Sequence, residues 1–133
     1  MHKLLILLFT FAASSAAAAT PSDLLQAYVA EARQANPAFT ASASRGEAFF
    51  RQERATELGR AACAGCHTAD PRKEGQTRVH KTIAPLAPSA NPERLTDAAK
   101  AEKWFGRNCK DVVGRSCTAA EKADFAAWLI SIR

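Results

Sequence analysis

Five consecutive residues near the middle of the chain, Cys63-Ala64-Gly65-Cys66-His67, have the side chains and the spacing for cofactor chemistry. Two cysteines three positions apart lie on one helical turn, so each thiol can form a thioether with a haem vinyl group. The histidine that follows then lies beside the iron, where its imidazole can be the proximal ligand. The pattern is typical of c-type haem attachment. It predicts one covalently bound haem c, held by Cys63, Cys66 and His67.

Two other kinds of site fit the same cysteines less well. A thioredoxin-like redox pair is expected close to a βαβ unit, and no strand periodicity surrounds Cys63 and Cys66. A zinc site would need further thiol or imidazole ligands. Cys109 and Cys117 could supply them only if they were not paired with each other. Haem attachment is therefore the favoured interpretation.

The first 19 residues have the pattern of a cleaved secretory signal. His2 and Lys3 make the start basic, an apolar run covers residues 4–11, and small residues end at Ala19. The strongly apolar stretch is far shorter than the roughly 20 residues that a membrane-spanning helix needs. We expect export to the periplasm, a mature cytochrome domain over residues 20–133, and no membrane span in the mature form.

Cys109 and Cys117 are left over for a disulfide bond. Disulfides persist in oxidising compartments, so the predicted export favours this pairing. The bond would close a loop of about nine residues and stabilise the folded chain by roughly 2.5 kcal/mol on the chain-entropy estimate. Its expected role is to hold the end of the preceding helix in place.

The sixth coordination position of the iron decides what such a haem can do. Met1 is the single methionine and leaves with the signal, which excludes the histidine–methionine ligand pair of electron-transfer cytochromes. The remaining choices are His80, a lysine, Asn108 or water. The extended chain between His67 and His80 can span roughly 40 Å, so reach does not exclude His80. From the residues alone these choices stay open.

Helical patterns supply most of the elements that would position these residues. Apolar spacing and the capping residues predict helices over about 21–35, from Ser44 onwards, over about 96–109, and from Thr118 to about 132. Four prolines and a glycine predict that residues 68–95 form a long loop without regular structure. No segment shows strand periodicity. The sequence therefore predicts an all-α bundle of four or five helices.

Charge argues against nucleic-acid binding. The chain has 18 lysines and arginines and 13 acidic residues, a formal net charge of +5. The charges alternate in sign along residues 51–60 rather than forming one basic block, and there is no glycine-rich phosphate loop. A weak docking patch for an acidic protein partner stays open.

Residues from Cys63 to the C-terminus, with the turn at 46–50, resemble the sphaeroides haem protein family, monohaem class I c-type cytochromes that also resemble cytochrome c″. The segments that carry the resemblance occur in order at family spacing. They are Cys63-Ala64-Gly65-Cys66-His67, Gly75-Gln76-Thr77-Arg78, Ile83-Ala84-Pro85-Leu86-Ala87-Pro88-Ser89, Glu102-Lys103-Trp104, Gly106-Arg107-Asn108-Cys109, Cys117-Thr118 and Glu121-Lys122-Ala123-Asp124. The resemblance implies a class I cytochrome c-like bundle around the haem.

The resemblance also implies site residues. In that family the residue before the first disulfide cysteine is the distal ligand, which is Asn108 here. His80 departs from the family pattern and is expected to lie on a surface loop. Pro85, or alternatively Pro88, resembles the proline whose carbonyl accepts a hydrogen bond from the proximal imidazole and so orients it. The other interpretation is that either proline simply shapes the loop.

The predictions for the basic and aromatic residues are weaker. Arg78, Lys81 and Arg107 could pair with haem propionates, although ordinary surface solvation explains each of them equally well. Trp104 and Phe105 are expected to line the haem pocket or the core.

An asparagine ligand predicts a redox-linked switch. The neutral, hard oxygen of Asn108 suits ferric iron better than ferrous iron, so reduction should release it and open a high-spin site to O2, NO or CO. The resemblance implies a dihaem cytochrome c or a membrane cytochrome b as electron donor. Alternatives are a six-coordinate bis-histidine electron carrier using His80, and a haem protein without turnover. Activity as an oxygen- or NO-reactive oxidoreductase stays open.

Overall fold

The computed structural model describes residues 19–57 and 59–133, and apart from Ala19 the predicted signal lies outside them. The described chain is mostly helical, which confirms the all-α class. Its helices are α1 (Pro21–Ala35), α2 (Ala43–Arg51), α3 (Cys63–His67), α4 (Ala98–Val113) and α5 (Ala119–Ser131). In this part of the chain no helix is long and apolar enough to cross a bilayer.

Side-chain caps determine where the main helices begin. Thr20 and Thr118 each form a complete capping box at the start of α1 and α5, and Asp97 caps α4. The helix α2 begins earlier than the sequence predicts. Its cap is Ser42, whose hydroxyl accepts a hydrogen bond from the amide of Arg45.

The prediction of no strands is wrong. The structure has two short antiparallel pairs, β1 (Arg54–Thr56) with β2 (Gly59–Ala61), and β3 (Gly75–Gln76) with β4 (Thr82–Ile83). Strands of two or three residues are too short to show an alternating apolar pattern. Neither pair has a continuous buried face.

The helix α4 is longer than predicted. It continues past Cys109 to Val113 and ends at Gly114, which adopts a left-handed conformation with φ 78°. Between Cys109 and Gly114 there is no residue that breaks a helix, and glycine is the residue that best tolerates this C-terminal conformation. The predicted end at Cys109 was therefore one turn too early.

The helix α5 is central to the core, because it packs against both α1 and α2. On one side, Ala123 and Ala126 pack with Leu24 and Tyr28 of α1. On the other side, Phe50 of α2 forms a second cluster with two buried α5 residues. These are Trp128 and Leu129. Cys63 and Ala64 of the cysteine motif pack against this second cluster.

Candidate haem site

The cysteine motif forms a helix of its own. Cys63, Cys66 and His67 all lie on α3, and both cysteines are free thiols that are partly buried. The helix ends at Thr68, whose φ of 63° is unusual for a residue other than glycine. The motif is thus confined to little more than one helical turn, which is the arrangement that two thioethers and an adjacent imidazole ligand require.

The strand β3 packs directly against the backbone of this short helix. A Cβ atom on Gly75 would overlap the carbonyl of Cys66 and lie 2.9 Å from the Cα of His67. Only glycine allows the two backbones to approach so closely. Gly75 therefore helps to fix the helix at the position of its last two motif residues.

Burial controls the ionisation of the motif. Burial raises the pKa of the Cys63 thiol, and the nearby charge of Arg54 only partly opposes this. Burial also lowers the pKa of His67 to about 4, and the positive charge of Arg94 adds to the effect. The imidazole is therefore neutral at pH 7, the form that can bind a metal.

The loop that follows β4 brings Pro85 to a hydrogen-bonded turn. The Pro85 carbonyl accepts hydrogen bonds from Arg94 Nε at 2.7 Å and from Asn91 Nδ2 at 3.2 Å. A second nitrogen of Arg94 donates to the carbonyl of Ala84 at 2.7 Å. Both hydrogen bonds to Pro85 come from the loop itself, and none comes from His67. Sequence reasoning missed Arg94, because a single arginine in a proline-rich loop has no distinguishing local pattern.

Asn108 is on a different element, near the C-terminal end of α4. It is partly buried and shares one side of the helix with Phe105 and Cys109. Cys109 and Cys117 form a disulfide with their Cα atoms 5.6 Å apart, which joins α4 to the segment before α5. The residue next to Asn108 is therefore tethered.

The remaining basic residues of interest are exposed. His80 lies in the turn between β3 and β4 with φ 60°, and its Nδ1 is 3.2 Å from Oε1 of Gln76. Arg78 and Lys81 flank it in the same turn and are exposed. Arg107 is exposed on α4, 4.0 Å from Asp111. The structure does not bring these residues into one buried cluster.

The two aromatic residues of α4 differ in their surroundings. Phe105 packs in the core, edge-to-face against Tyr28 at 5.8 Å and against Phe125 at 5.6 Å between ring centroids. Trp104 has 42% of its surface exposed. Phe105 therefore belongs to the core, one of the two places expected for it.

The donor set in α3 fits a covalently bound haem. Two free thiols on one turn supply the attachment points, and a neutral, partly buried imidazole follows at the next position. The Cys63 side packs against the apolar cluster around Phe50, which suits a large hydrophobic ring. No group of three or more histidine, cysteine or acidic side chains suited to a metal occurs in the described residues.

Residues 36–129 match a family described as a domain of unknown function, DUF1924. The chain is 47% identical over 134 residues to the cytochrome c-type protein SHP of Cereibacter sphaeroides, covering 97% of this chain and 98% of that one. The chain belongs to the SHP family. It is also 40% identical over 125 residues to cytochrome c″ of Methylophilus methylotrophus, covering 91% of this chain and 87% of that one.

Solved structures of SHP-family relatives have the same fold. Oxidised SHP, described as an oxygen-binding cytochrome c, superimposes with a TM-score of 0.78 at 45% identity, covering 87% of this chain and all of that one. Oxidised cytochrome c″ of M. methylotrophus gives a TM-score of 0.78 at 39% identity, covering 85% and 94%. This SHP-family protein is thus a monohaem c-type cytochrome, and its cofactor is one covalently bound haem c, as the motif predicts.

Proposed function

We propose that this SHP-family protein is a periplasmic, gas-binding cytochrome with a redox-dependent distal ligand. Cys63 and Cys66 hold the haem by thioethers, and His67 is the proximal ligand. Asn108 coordinates the ferric iron through its amide oxygen and is released on reduction. The released position is then open to O2, NO or CO in a high-spin ferrous state.

The observation that carries the proposal is the contrast between Asn108 and His80. Asn108 is partly buried on α4 and is followed by a disulfide-bonded cysteine. His80 is exposed in a hairpin turn, where its ring is near Gln76. A distal ligand must be shielded from solvent, and the partly buried Asn108 meets this condition better than the exposed His80. The absence of methionine after Met1 leaves few other donors.

Ligand chemistry explains why this coordination depends on redox state. An amide oxygen is a neutral, hard donor, which binds ferric iron better than the softer ferrous iron. The amide of Asn108 makes no hydrogen bond to other residues in the described part of the chain. It is therefore free to coordinate the ferric iron and free to leave on reduction.

On the proximal side, the proposal keeps Pro85 as a residue that shapes the loop after β4. Its carbonyl accepts hydrogen bonds from Arg94 and Asn91, so the turn has a defined position. In the described residues His67 makes no hydrogen bond to this carbonyl, so an orienting bond from Pro85 is not part of the proposal.

Location and partners complete the proposal. The basic, apolar and small-residue pattern of residues 1–19 supports export to the periplasm. The electron donor we propose is another cytochrome, either a dihaem cytochrome c or a membrane cytochrome b. The relative whose structure is described as an oxygen-binding cytochrome c supports a small diatomic ligand for this chain.

Visible spectra test this proposal directly. The dithionite-reduced holoprotein should be high-spin and should bind CO. Asn108→Ala should change the ferric spectrum and leave CO binding to the ferrous form largely intact. His80→Ala is the matched control and should change neither spectrum. A reduced protein that stays low-spin and does not respond to CO would instead support a six-coordinate bis-histidine carrier. An unchanged ferric spectrum in Asn108→Ala would refute the distal assignment.

A further inference from the structure

Lys122 of α5 contacts two other helices through one side chain. Its Nζ lies 2.7 Å and 3.0 Å from the two carboxylate oxygens of Glu102 on α4. The same nitrogen lies 5.4 Å from the ring centroid of Tyr28 on α1 and 6.0 Å from that of Phe105 on α4. A cation this close to an aromatic face is attracted to it. Lys122 therefore binds α4 through two side chains of that helix.

Burial makes this ion pair stronger than an ordinary surface pair. The Lys122 side chain is only 13% exposed, whereas that of Glu102 is 49% exposed. A fully exposed pair contributes little, because water screens both charges. An ammonium group that is largely withdrawn from water depends on its carboxylate partner, so separating the two is costly. The pair therefore restricts where α4 can lie against α5.

The Lys122 contacts lie on the N-terminal side of Asn108 in α4. Phe105 precedes Asn108 by three residues, which makes the two side chains neighbours on the helix surface. The Phe105 ring packs edge-to-face against Tyr28 at 5.8 Å and against Phe125 at 5.6 Å between ring centroids. A movement of Phe105 away from these rings carries Asn108 with it, because both residues belong to one helix.

Asn108 is thus placed between two attachments of α4. On its C-terminal side, Cys109 is bonded to Cys117. On its N-terminal side, Lys122 holds the two preceding turns of the helix. A disulfide alone is a single attachment about which a helix can pivot, and the Lys122 contacts oppose that pivot.

We propose that Lys122 is a positioning residue, which holds α4 so that Asn108 reaches the iron in the ferric state. This inference rests on the proposed function, because Lys122 acts through Asn108 as the distal ligand. Its consequence is that a residue of α5, which is not itself a ligand, sets the fraction of ferric protein whose sixth position is open.

A second ion pair on the same helix supplies a matched control. Asp124 follows Lys122 by two residues and pairs with Arg45 at the same distance of 2.7 Å, but this pair joins α5 to α2. Lys122→Met and Arg45→Met each remove one positive charge and break one ion pair of α5. Arg45→Met should lower stability and leave the position of α4 unchanged.

Azide binding to the ferric holoprotein, followed by haem absorbance, measures how often the sixth position is open. The apparent azide affinity is the intrinsic affinity multiplied by the open fraction. Lys122→Met should raise this affinity about fivefold, at the lower end of coupling between separate sites. Loss of a positive charge would by itself weaken the binding of an anion, so tighter binding reports the freed position. Arg45→Met should bind azide as the parent does.

The same substitution in an Asn108→Ala background separates positioning from general loosening. Asn108→Ala should itself raise the azide affinity, and Lys122→Met should then add nothing, because the ligand that it positions is gone. A further increase in that background would overturn the proposal, as would a parental affinity in Lys122→Met or an equal rise in Arg45→Met. A parental affinity in Asn108→Ala would refute the proposed distal ligand, and the role of Lys122 with it.

If Lys122→Met does not fold, Glu102→Gln takes its place. The Glu102 side chain is half-exposed, and glutamine keeps an oxygen acceptor while removing the charge. The azide affinity should rise about threefold, as for loss of a partly exposed ion pair. An affinity equal to that of the parent would overturn the proposal.

Discussion

Two regions of the molecule are held together in different ways. One is the frame made by α1, α2 and α5. The other carries the residues proposed to hold the haem and is made by α3, residues 68–95 and α4; we call it the haem-bearing part. In the frame, Gly46 lies so close to α5 that a Cβ there would overlap the carbonyl of Asp124. Asp124 also pairs with Arg45 at 2.7 Å and accepts from the amide of Ser42. Continuous helix packing and an ion pair between an exposed arginine and a buried carboxylate connect these elements.

The haem-bearing part depends more on individual contacts, although Phe105 of α4 packs against the core of the frame. Gly75 contacts the backbone of α3, Arg94 binds two carbonyls, and the disulfide tethers α4. Stability and haem chemistry therefore rest largely on different contacts in this fold. Substitutions in the frame should cost global stability and leave ligation unchanged, whereas substitutions in the haem-bearing part should alter the haem spectrum at smaller cost.

The largest expected effect comes from the contact between α2 and α5. Gly46→Ala should destabilise the holoprotein by about 3 kcal/mol, because the new methyl group overlaps backbone that cannot move without separating the helices. Denaturant unfolding measures the loss, and the ferric spectrum of the remaining folded protein should match the parent. Gly106→Ala is the control. Nothing lies within 4 Å of its added Cβ, so the helix should gain about 0.5–1 kcal/mol. Equal stability for the two variants would contradict the tight-packing argument.

Removal of the disulfide should lower the stability of the fold and also change the ferric haem spectrum. The Cys109→Ala/Cys117→Ala double variant should lose about 2.5 kcal/mol of stability, from the greater freedom of the unfolded chain. It should also change the ferric spectrum, because the C-terminal part of α4 and Asn108 lose their tether. Thermal unfolding and ferric absorbance are measured on the same samples. A stability loss with a parental ferric spectrum would show that the tether does not position Asn108.

The smallest effect concerns the start of α5. Hydrogen bonds from Arg115 hold the pKa of Glu121 below its usual 4.5, and Thr118 assists, although burial acts in the opposite direction. The carboxylate thus contributes stability that is present above pH 4.5 and is lost as the pH falls through the lower folded-state pKa. Glu121→Gln keeps an oxygen that can accept from the Thr118 amide but loses the charge that pairs with Arg115, so it should cost about 0.5 kcal/mol at neutral pH.

The same variant should lose less stability on acidification than the parent does. Urea unfolding at pH 7 and at successive pH values below 4.5 measures the free energy of unfolding of the parent and the variant. The ferric spectrum at neutral pH should be unchanged in the variant. Parallel pH profiles for the parent and Glu121→Gln would rule out this contribution. The partly exposed pair should also weaken in high salt.

Local sequence signals predicted the elements that are stabilised locally. The capping boxes at Thr20 and Thr118 and the apolar spacing behind them place α1 and α5 correctly, and the cysteine motif predicts α3. The short strands escaped prediction, because tertiary contacts and turns form them rather than an alternating pattern. The early end assigned to α4 came from treating Cys109 as a boundary, although the sequence offers no helix breaker before Gly114.

The site residues also differ in whether local sequence signals predict them. The attachment motif is contiguous in sequence, so spacing alone predicts it. Asn108 and His80 could not be separated from the residues alone, because their difference is one of burial in the folded chain. Arg94 was missed for a related reason. Its hydrogen bonds reach carbonyls nine and ten residues away, Pro85 and Ala84.

The disulfide beside Asn108 has a consequence for gas affinity. Under the proposed function, the released amide stays attached to a tethered helix end and remains at high local concentration near the iron. Every incoming gas molecule then competes with an intramolecular rival, and the apparent affinity is the intrinsic affinity multiplied by the fraction of time the position is open. This fraction is the same for every gas, so the tether would lower all gas affinities together and leave their ratios unchanged.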